Sequence, residues 1–292
     1  MHTENKKTKL LIYDVMFKAV FNKEPGILLK MIKDIFHIEE ELEVVSNPFV
    51  FTGLESPPST KSGKTYRGDM TIRLSDKSLV TIEMNYRNDK NAIDRNMIHL
   101  VRVHNRMLKS GVPDSELDKH RIRGLNLNNF RNDEDIPVEN FALVSLDTNK
   151  VASYIYTICN ISLVRCKELV YNISIKNLPN AVRWGAILLE EDIDKISHIL
   201  GDDMLTMEEK ERLLKTIEDV NDDETIMTEW MLEENARLKH EGEMAYAKNE
   251  GAEGKNKEVI INMLNMNMDY DVISRVTGKT IEKIKEIEET IE

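Results

Sequence analysis

Two neighbouring segments in which polar and apolar residues alternate, Met70–Leu74 and Leu79–Tyr86, constrain the fold of this chain more than any other feature. The polar turn Ser75–Ser78 joins them, so they are predicted to form a β-hairpin. Side chains on a strand point alternately to its two faces. The second segment therefore has an apolar face with Val80, Ile82 and Met84, and a polar face with Thr81, Glu83 and Asn85.

The hairpin is also expected to bring two carboxylates and an amide together. Asp69 directly precedes the first strand, and folding of the hairpin places it near Glu83 and Asn85. Hard divalent ions such as Mg²⁺ prefer oxygen ligands of this kind. Two close carboxylates without a cation would repel, and one would take up a proton. The alternative is an ordinary hairpin with a half-exposed polar face.

The distribution of charge favours a negatively charged partner near the hairpin, although the whole chain carries a net charge of −12. Between residues 61 and 109 there are 11 Lys or Arg residues against 5 Asp or Glu residues. Residues 151–292 contain 17 basic and 30 acidic residues, so the excess acid lies in the other half of the chain. This local basic charge is compatible with a phosphate backbone beside the hairpin.

A helix is predicted after the hairpin, over Ala92–Lys109, and Gly111 and Pro113 end it. Its basic residues are spaced by 4, 3 and 4 positions, which predicts a single stripe that tracks phosphates: Arg95, His99, Arg102 and Arg106. The alternative is a solvated helix face. The apolar contacts of this helix are predicted to be Met97, Leu100, Val101 and Leu108.

The order of elements predicts a mixed α/β (α+β) fold with a small sheet. Residues 9–36 read as helix, with a break and a new helix start at Pro25. Strands are expected at Leu42–Phe51 and Phe141–Leu146, while Leu117–Leu127 reads as irregular and Val151–Leu163 is ambiguous.

From Asn180 onward the chain reads as helical and acidic. Gly242, Gly251 and Gly254 predict a weak or broken helix between Lys239 and Lys257. The end of the chain reads as a two-helix unit around Thr277–Thr280, for which oligomerisation or regulation is favoured over insertion into a DNA groove. The predicted domains are a core (1–175), a helical extension (176–238) and a C-terminal helical unit (239–292).

Several classes of protein are excluded by composition and motifs. No run of 18 uncharged apolar residues is present, which argues against a transmembrane helix. The polar start does not read as a signal peptide, and two cysteines are too few for a disulfide framework. A cytoplasmic protein is therefore expected. The histidines lack zinc-site spacing, and Pro58 stands where a P-loop ending at Gly63–Thr65 needs a glycine.

An ordered set of short motifs adds a family resemblance that spans nearly the whole chain. Asp14–Phe21 has the form D-x-x-F-K-x-x-F, Arg67–Asp69 has the form R-x-D, and Ile82–Asn85 reads I-E-M-N. Arg95 and the L-x-x-G of Leu108–Gly111 follow. At these spacings the chain resembles the PD-(D/E)xK nuclease family transposases, which are also called recombination-promoting nucleases.

The resemblance implies a restriction-endonuclease-like core that hydrolyses DNA phosphodiester bonds with Mg²⁺, or with Mn²⁺ in its place, in recombination of mobile elements. It implies metal ligation by Asp69, Glu83 and the main-chain carbonyl of Met84. Asn85 would orient water or phosphate. Asp14 would make an outer contact to the metal, and the alternative is that it is an ordinary surface acid of the first helix. The residues expected to bind the DNA backbone are Lys18, Lys64, Arg67, Arg95, His99, Arg102 and Arg106.

One departure from the family pattern supports a competing hypothesis. The family has Gln, and related nucleases have Lys, at the position that Asn85 occupies. Asn keeps the amide but is shorter and uncharged. The alternative function is a catalytically weak member that binds nucleic acid or assembles as a homo-oligomer through its C-terminal helices. An RNase on the same scaffold is a third hypothesis.

Overall fold

The computed structural model describes residues 7–45, 70–86, 92–108, 113, 116, 120–132 and 134–290. The chain divides into two compact units, Met1–Trp230 and Met231–Glu292. The strands are β1 (Met70–Arg73), β2 (Leu79–Asn85), β3 (Ile122–Asn128), β4 (Val138–Val144) and β5 (Val151–Ser162). The domain limits expected at residues 175 and 238 remain predictions.

Helices surround the sheet and make up the second unit. Those that lie wholly in the first unit are α1 (Asp14–Lys23), α2 (Pro25–Phe36), α3 (Ala92–Met107), α4 (Leu163–Asn172), α5 (Asn180–Leu188), α6 (Ile193–Leu200) and α7 (Met207–Asn221). The others are α8 (Glu224–Asn265), α9 (Tyr270–Thr277) and α10 (Ile281–Glu288). The predicted break at Pro25 is confirmed, because this residue begins α2.

Within the described residues, the strands form a mixed five-stranded sheet in the order β1-β2-β3-β5-β4. The predicted hairpin is confirmed, since β1 and β2 pair in an antiparallel manner with Met70 opposite Ile82. β2, β3 and β5 are parallel and form the centre of the sheet, with Glu83 opposite Asn126 and Asn126 opposite Asn160. The mixed sheet flanked by helices agrees with the predicted α+β fold class.

The main hydrophobic core lies on one face of this sheet. Val80, Ile82 and Met84 of β2 point into it, together with side chains of β3 and β5. Residues of α1, α2, α5, α6 and α7 complete the core, including Phe17, Ile32 and Trp184. The alternation read from the sequence therefore assigns the apolar side chains of β2 to the core, as its pattern predicts.

A smaller cluster lies on the opposite face, where α3 covers the sheet. Leu100 and Val103 of α3 pack against Leu79 of β2 and Ile122 of β3. A Cβ atom at Gly124 would lie 2.7 Å from Leu100 Cδ1, so the leucine packs directly on the backbone of β3. This contact fixes the height of α3 above the polar face of β2.

Three predictions about secondary structure were wrong or fell partly outside the described residues. β3 is a buried central strand, although Leu117–Leu127 reads as irregular, because alternate polar side chains of β3 are buried under α3. The segment Lys239–Lys257 is continuous helix within α8. The strand expected over Leu42–Phe51 is an isolated bridge from Val44 to Leu74, and its residues 46–51 lie outside the described part.

The continuity of α8 follows from what surrounds its glycines. Each glycine lowers helix stability by about 1 kcal/mol relative to alanine. A Cβ atom at Gly242, Gly251 or Gly254 would meet nothing within 4 Å, so no packing requirement interrupts the helix there. The intervening Ala, Glu, Lys and Met residues favour helix.

The second unit has a small core of its own. Ile260 of α8, Ile273 of α9 and Ile284 of α10 are buried together. Gly278 ends α9 with a left-handed backbone, and the Thr280 hydroxyl accepts a hydrogen bond from the Lys283 N–H at the start of α10. In the part of the chain that the structure describes, no helix is long and apolar enough to cross a membrane.

Glu209 connects α7 to α2 in the first unit. It forms a capping box with Thr206, and its Oε2 accepts a hydrogen bond of 2.5 Å from Lys30 Nζ. Burial by itself would raise the pKa of Glu209. The hydrogen bonds from Lys30 and from the N–H and hydroxyl of Thr206 outweigh burial and lower the pKa from 4.5 to about 2.

The lowered pKa of Glu209 predicts a loss of stability in acid. A carboxylate with a lowered pKa stabilises the folded state above its unfolded pKa, and this contribution is lost as the pH falls from about 4.5 to about 2. Glu209→Gln should lower the free energy of unfolding at pH 7 by roughly 1–2 kcal/mol and should flatten its decline below pH 4.5. Urea denaturation across this pH range measures both effects. Glu211→Gln, which changes an exposed acid of α7, is the control; equal pH profiles for wild type and Glu209→Gln would contradict the prediction.

Candidate functional site

Polar side chains gather at the carboxyl ends of the three parallel strands, on the sheet face that α3 covers. Glu83 and Asn85 come from β2, and the parallel register sets them opposite Asn126 and Asn128 of β3. Asn160 of β5 continues the row. Because the same register sets the apolar residues of β2 and β3 on the other face, these polar groups are isolated from the main core.

Glu83 and His99 form the charged centre of this group. The distance from His99 Nε2 to Glu83 Oε1 is 3.4 Å, and the side chains are 8% and 13% exposed, respectively. A carboxylate removed from water to this extent is stable only beside hydrogen-bond donors or positive charge. The buried position therefore favours a cationic partner for Glu83, either a protonated imidazole or a metal ion.

Asn85 lies two residues beyond Glu83, on the same face of β2. Neighbouring side chains form hydrogen bonds with both of its polar atoms. Its Oδ1 accepts a hydrogen bond of 3.0 Å from Arg95 Nη2, and its Nδ2 donates one of 2.9 Å to Asn128 Oδ1. The side chain is 5% exposed. The amide of Asn85 is thus held between α3 and β3.

A second run of amides lies beside this pair and ties α3 to the two central strands. Asn96 Nδ2 donates to Asn126 Oδ1 over 2.8 Å, and Asn126 Nδ2 donates to Asn160 Oδ1 over 2.7 Å. All three side chains are buried. Sequence reasoning missed this amide ladder (Asn96, Asn126 and Asn160), although the alternation Leu125–Asn126–Leu127–Asn128 indicates a strand with one polar face.

Further along α3, His104 makes a different kind of contact. Its Nδ1 lies 2.7 Å from the hydroxyl of Tyr156, and the two rings meet edge to face. Burial lowers the pKa of His104 below its usual 6.5, which favours the neutral imidazole.

The start of α1 lies at the same end of β2 as Glu83. The hydroxyl of Tyr86 donates a hydrogen bond of 2.7 Å to the Ile12 carbonyl, and the rings of Tyr13 and Tyr86 are 5.6 Å apart. Asp14 begins α1 and forms an ion pair of 2.6 Å with Lys18. The roles expected for Asp14 and Lys18 in metal and phosphate binding remain predictions.

The four basic residues predicted as a stripe on α3 do not share one exposed face. His99 is buried against the sheet and Arg95 donates to Asn85, whereas Arg102 is exposed. The side chain of Arg106 lies outside the described part. Val101 was expected to make an apolar contact, but it is 40% exposed, and Val103 is buried instead. Several polar side chains of α3 face the sheet, so the apolar positions of this helix do not by themselves show which side is buried.

Other predicted site residues divide between the described and undescribed parts of the chain. Asp69, Lys64 and Arg67 lie outside the described residues. The side chain of Met84 is buried in the main core, so a metal contact from this residue would come from its carbonyl oxygen.

The described residues fit a hard cation only in part. Among them, no group of three or more His, Cys, Asp or Glu side chains is arranged to hold a metal ion. Glu83 supplies one largely buried carboxylate with oxygen chemistry suited to such an ion. The other carboxylate expected in the metal site, that of Asp69, lies outside the described residues.

Comparison with known proteins adds one match. A sequence model of the family described as PD-(D/E)XK nuclease family transposase matches residues 11–251. This range includes the whole polar group at the strand ends. No match was found among curated proteins or among solved structures.

The amide ladder should contribute measurably to stability. Asn126→Leu keeps the branched shape of asparagine but leaves the Asn96 donor and the Asn160 acceptor buried without their partner. The expected loss is roughly 2–4 kcal/mol in the free energy of unfolding, measured by urea denaturation. Asn172→Leu, at an exposed position of α4, should change it by less than about 0.5 kcal/mol. Equal effects of the two substitutions would refute the structural role of the ladder.

Proposed function

Since the chain belongs to the PD-(D/E)XK nuclease family transposases, we propose that it is a metal-dependent endonuclease that hydrolyses DNA phosphodiester bonds during recombination of mobile elements. Family membership supports a nuclease-like function, and nucleases of this kind generally use divalent metals. The observation that carries the more specific proposal is Glu83, a largely buried carboxylate at the end of the central strands beside His99.

The proposed metal ligands are Asp69 and Glu83. Met70 pairs with Ile82 in the described hairpin. In the sequence, Asp69 precedes Met70 and Glu83 follows Ile82, so the antiparallel register supports a pair of carboxylates at this point. Mg²⁺ is the proposed ion, with Mn²⁺ as a substitute, because both accept carboxylate oxygens. A bound divalent ion would polarise the phosphate and make a bound water more acidic.

The chain's own residues would prepare this centre for the reaction. His99, 3.4 Å from Glu83, would restrict the movement of this carboxylate, and the buried amides of β3 would limit the access of water to that side of the sheet. Arg102 on the outer side of α3 would bind the phosphate backbone, together with Lys64, Arg67 and Arg106. Such contacts position DNA without reading its sequence, and they weaken as salt is added.

Removing either proposed ligand should abolish cleavage. Asp69→Asn and Glu83→Gln keep the side-chain size and remove the charge, and they should lower the rate of Mg²⁺-dependent nicking of plasmid DNA by roughly 100-fold or more. Asp147→Asn, in the exposed turn between β4 and β5, should retain the wild-type rate. Calorimetry should detect Mg²⁺ binding to wild type and a weaker affinity in Glu83→Gln.

Two results would contradict this assignment. A wild-type protein that cleaves neither DNA nor RNA with Mg²⁺ or Mn²⁺ is not the proposed nuclease. Cleavage of RNA alone would replace DNA by RNA as the substrate.

A second candidate function, assembly through the C-terminal helices, is favoured by a specific observation. α8 carries large apolar side chains that are exposed in the second unit, including Leu232 and Tyr246. These two residues are 14 positions apart, about four turns along the same side of the helix, and so form an apolar surface on which a second copy can pack. We propose that the chain forms a homo-oligomer through this apolar surface of α8, which is compatible with either an active or a weakened nuclease.

Light scattering tests the oligomer. The wild type should have a mass that is a multiple of 33.8 kDa, and the double substitution Leu232→Glu with Tyr246→Glu should reduce it toward a single chain, since a buried charge without a partner opposes association. Lys255→Gln, at an exposed position on the opposite side of the same helix, should leave the mass unchanged. A monomeric wild type at micromolar concentration would exclude this proposal.

A further inference from the structure

Asn85 is unsuited to the role that its place in the signature implies. A lysine at this place would bring a positive charge to the reacting phosphate, and asparagine brings none. Its oxygen and its nitrogen already bind Arg95 and Asn128, and the side chain is buried. A positive charge at this end of β2 would therefore come from another residue.

Arg95 is placed to supply that charge. It precedes His99 by four residues on α3, and Asn85 follows Glu83 by two residues on β2. Four residues of helix and two residues of strand each advance the chain by about 6 Å. The spacing along α3 therefore equals the spacing along β2, so that His99 lies beside Glu83 and Arg95 lies beside Asn85.

We propose that Arg95 is a catalytic residue that contacts the scissile phosphate, and that Asn85 is its positioning residue. This inference rests on the proposed nuclease function. Asn128 holds the Asn85 amide, whose oxygen then fixes one edge of the guanidinium. A guanidinium has five N–H donors in a planar fork, so different nitrogens can contact Asn85 and a phosphate oxygen. Its charge does not depend on pH in the physiological range.

The contribution of Arg95 is electrostatic. In the hydrolysis the water oxygen bonds to phosphorus while the bond from phosphorus to the leaving oxygen breaks. The proton of the water passes to solvent, and the leaving oxygen takes up a proton from solvent. Negative charge increases on the phosphoryl oxygens in the transition state, and a preorganised cation stabilises that charge most effectively where water is limited. Arg95 neither gains nor loses a proton.

Arg95 and Arg102 lie on the same helix but differ in burial, because Arg95 is half-buried and Arg102 is exposed. An exposed arginine that tracks the DNA backbone contributes to affinity and to its salt dependence. An arginine fixed beside Asn85 at the reacting phosphate contributes mainly in the transition state, which affects kcat more than binding. Comparing the two residues therefore distinguishes a catalytic contact from a general phosphate contact.

The experiment measures cleavage and DNA binding separately. Arg95→Ala should lower the single-turnover rate of plasmid nicking by roughly 100-fold or more, while the Kd for DNA measured by fluorescence anisotropy in EDTA rises less than about tenfold. Methylguanidinium at millimolar concentration should restore part of the lost rate to Arg95→Ala. Arg102→Gln is the comparator, and for this variant the Kd should change more than the rate.

Two further variants keep the test decisive if Arg95→Ala is unstable. Arg95→Lys keeps the charge without the fork and should give an intermediate rate. Asn85→Leu should lower the rate because it releases the guanidinium, and the same variant should respond little to methylguanidinium. The melting temperature of each variant shows whether a lower rate reflects unfolding.

The outcomes separate this inference from the proposed function. A wild type that cleaves, with Arg95→Ala cleaving at the same rate, overturns the inference and leaves the nuclease proposal intact. A rate loss matched by an equal loss of DNA affinity in EDTA, without chemical rescue, also overturns it. A wild type without cleavage overturns the nuclease proposal and the catalytic role together.

Discussion

The burial of Glu83 between the sheet and α3 is the constraint on which the local structure depends. A carboxylate in such a place requires positive charge or donors close by, and His99 lies 3.4 Å from it. To supply this partner, α3 must turn a face rich in polar residues toward the sheet. Leu100 and Val103 anchor that orientation farther along, where Leu100 packs on the backbone at Gly124.

Neutral amides surround this charged centre for a physical reason. Asparagine can donate and accept at once, so Asn96, Asn126 and Asn160 satisfy one another in a chain without adding charge. Further carboxylates there would repel Glu83, and apolar side chains would leave its neighbours without partners. A fully satisfied polar network also restricts the side chains to one arrangement, so the polar face around Glu83 is held in one geometry.

Asn85 stands where the family has Gln and related nucleases have Lys, and this departure has two interpretations. By itself, the substitution suggests a weakened enzyme. In the folded protein, however, the amide oxygen of Asn85 accepts from Arg95, so a cation lies beside the signature position even though none occurs within the signature. The acidic second unit and the exposed apolar residues of α8 remain compatible with assembly alongside catalysis.

Part of this structure could be predicted from the sequence, because the relevant forces act between near neighbours. The alternation on β2 predicts the two faces of the hairpin, and Pro25 predicts the start of α2. The motifs around Asp14, Glu83 and Arg95 indicate the family, which the matched range 11–251 bears out. The continuous helix of α8 was mispredicted because glycine only weakens a helix, and the residues around it decide whether it breaks.

Other features follow from contacts between residues distant in the sequence, and only the tertiary structure defines them. β3 reads as irregular until α3 covers it and its alternate asparagines find partners. Asn85 and Asn128 are 43 residues apart, yet they form one hydrogen bond. Periodicity assigns a side chain to a face of its own element, but the partner on that face depends on which elements pack together. The contacts of His99 with Glu83 and of Arg95 with Asn85 therefore follow from the packing of α3 on the sheet, because that packing decides which side chains of α3 are buried against β2.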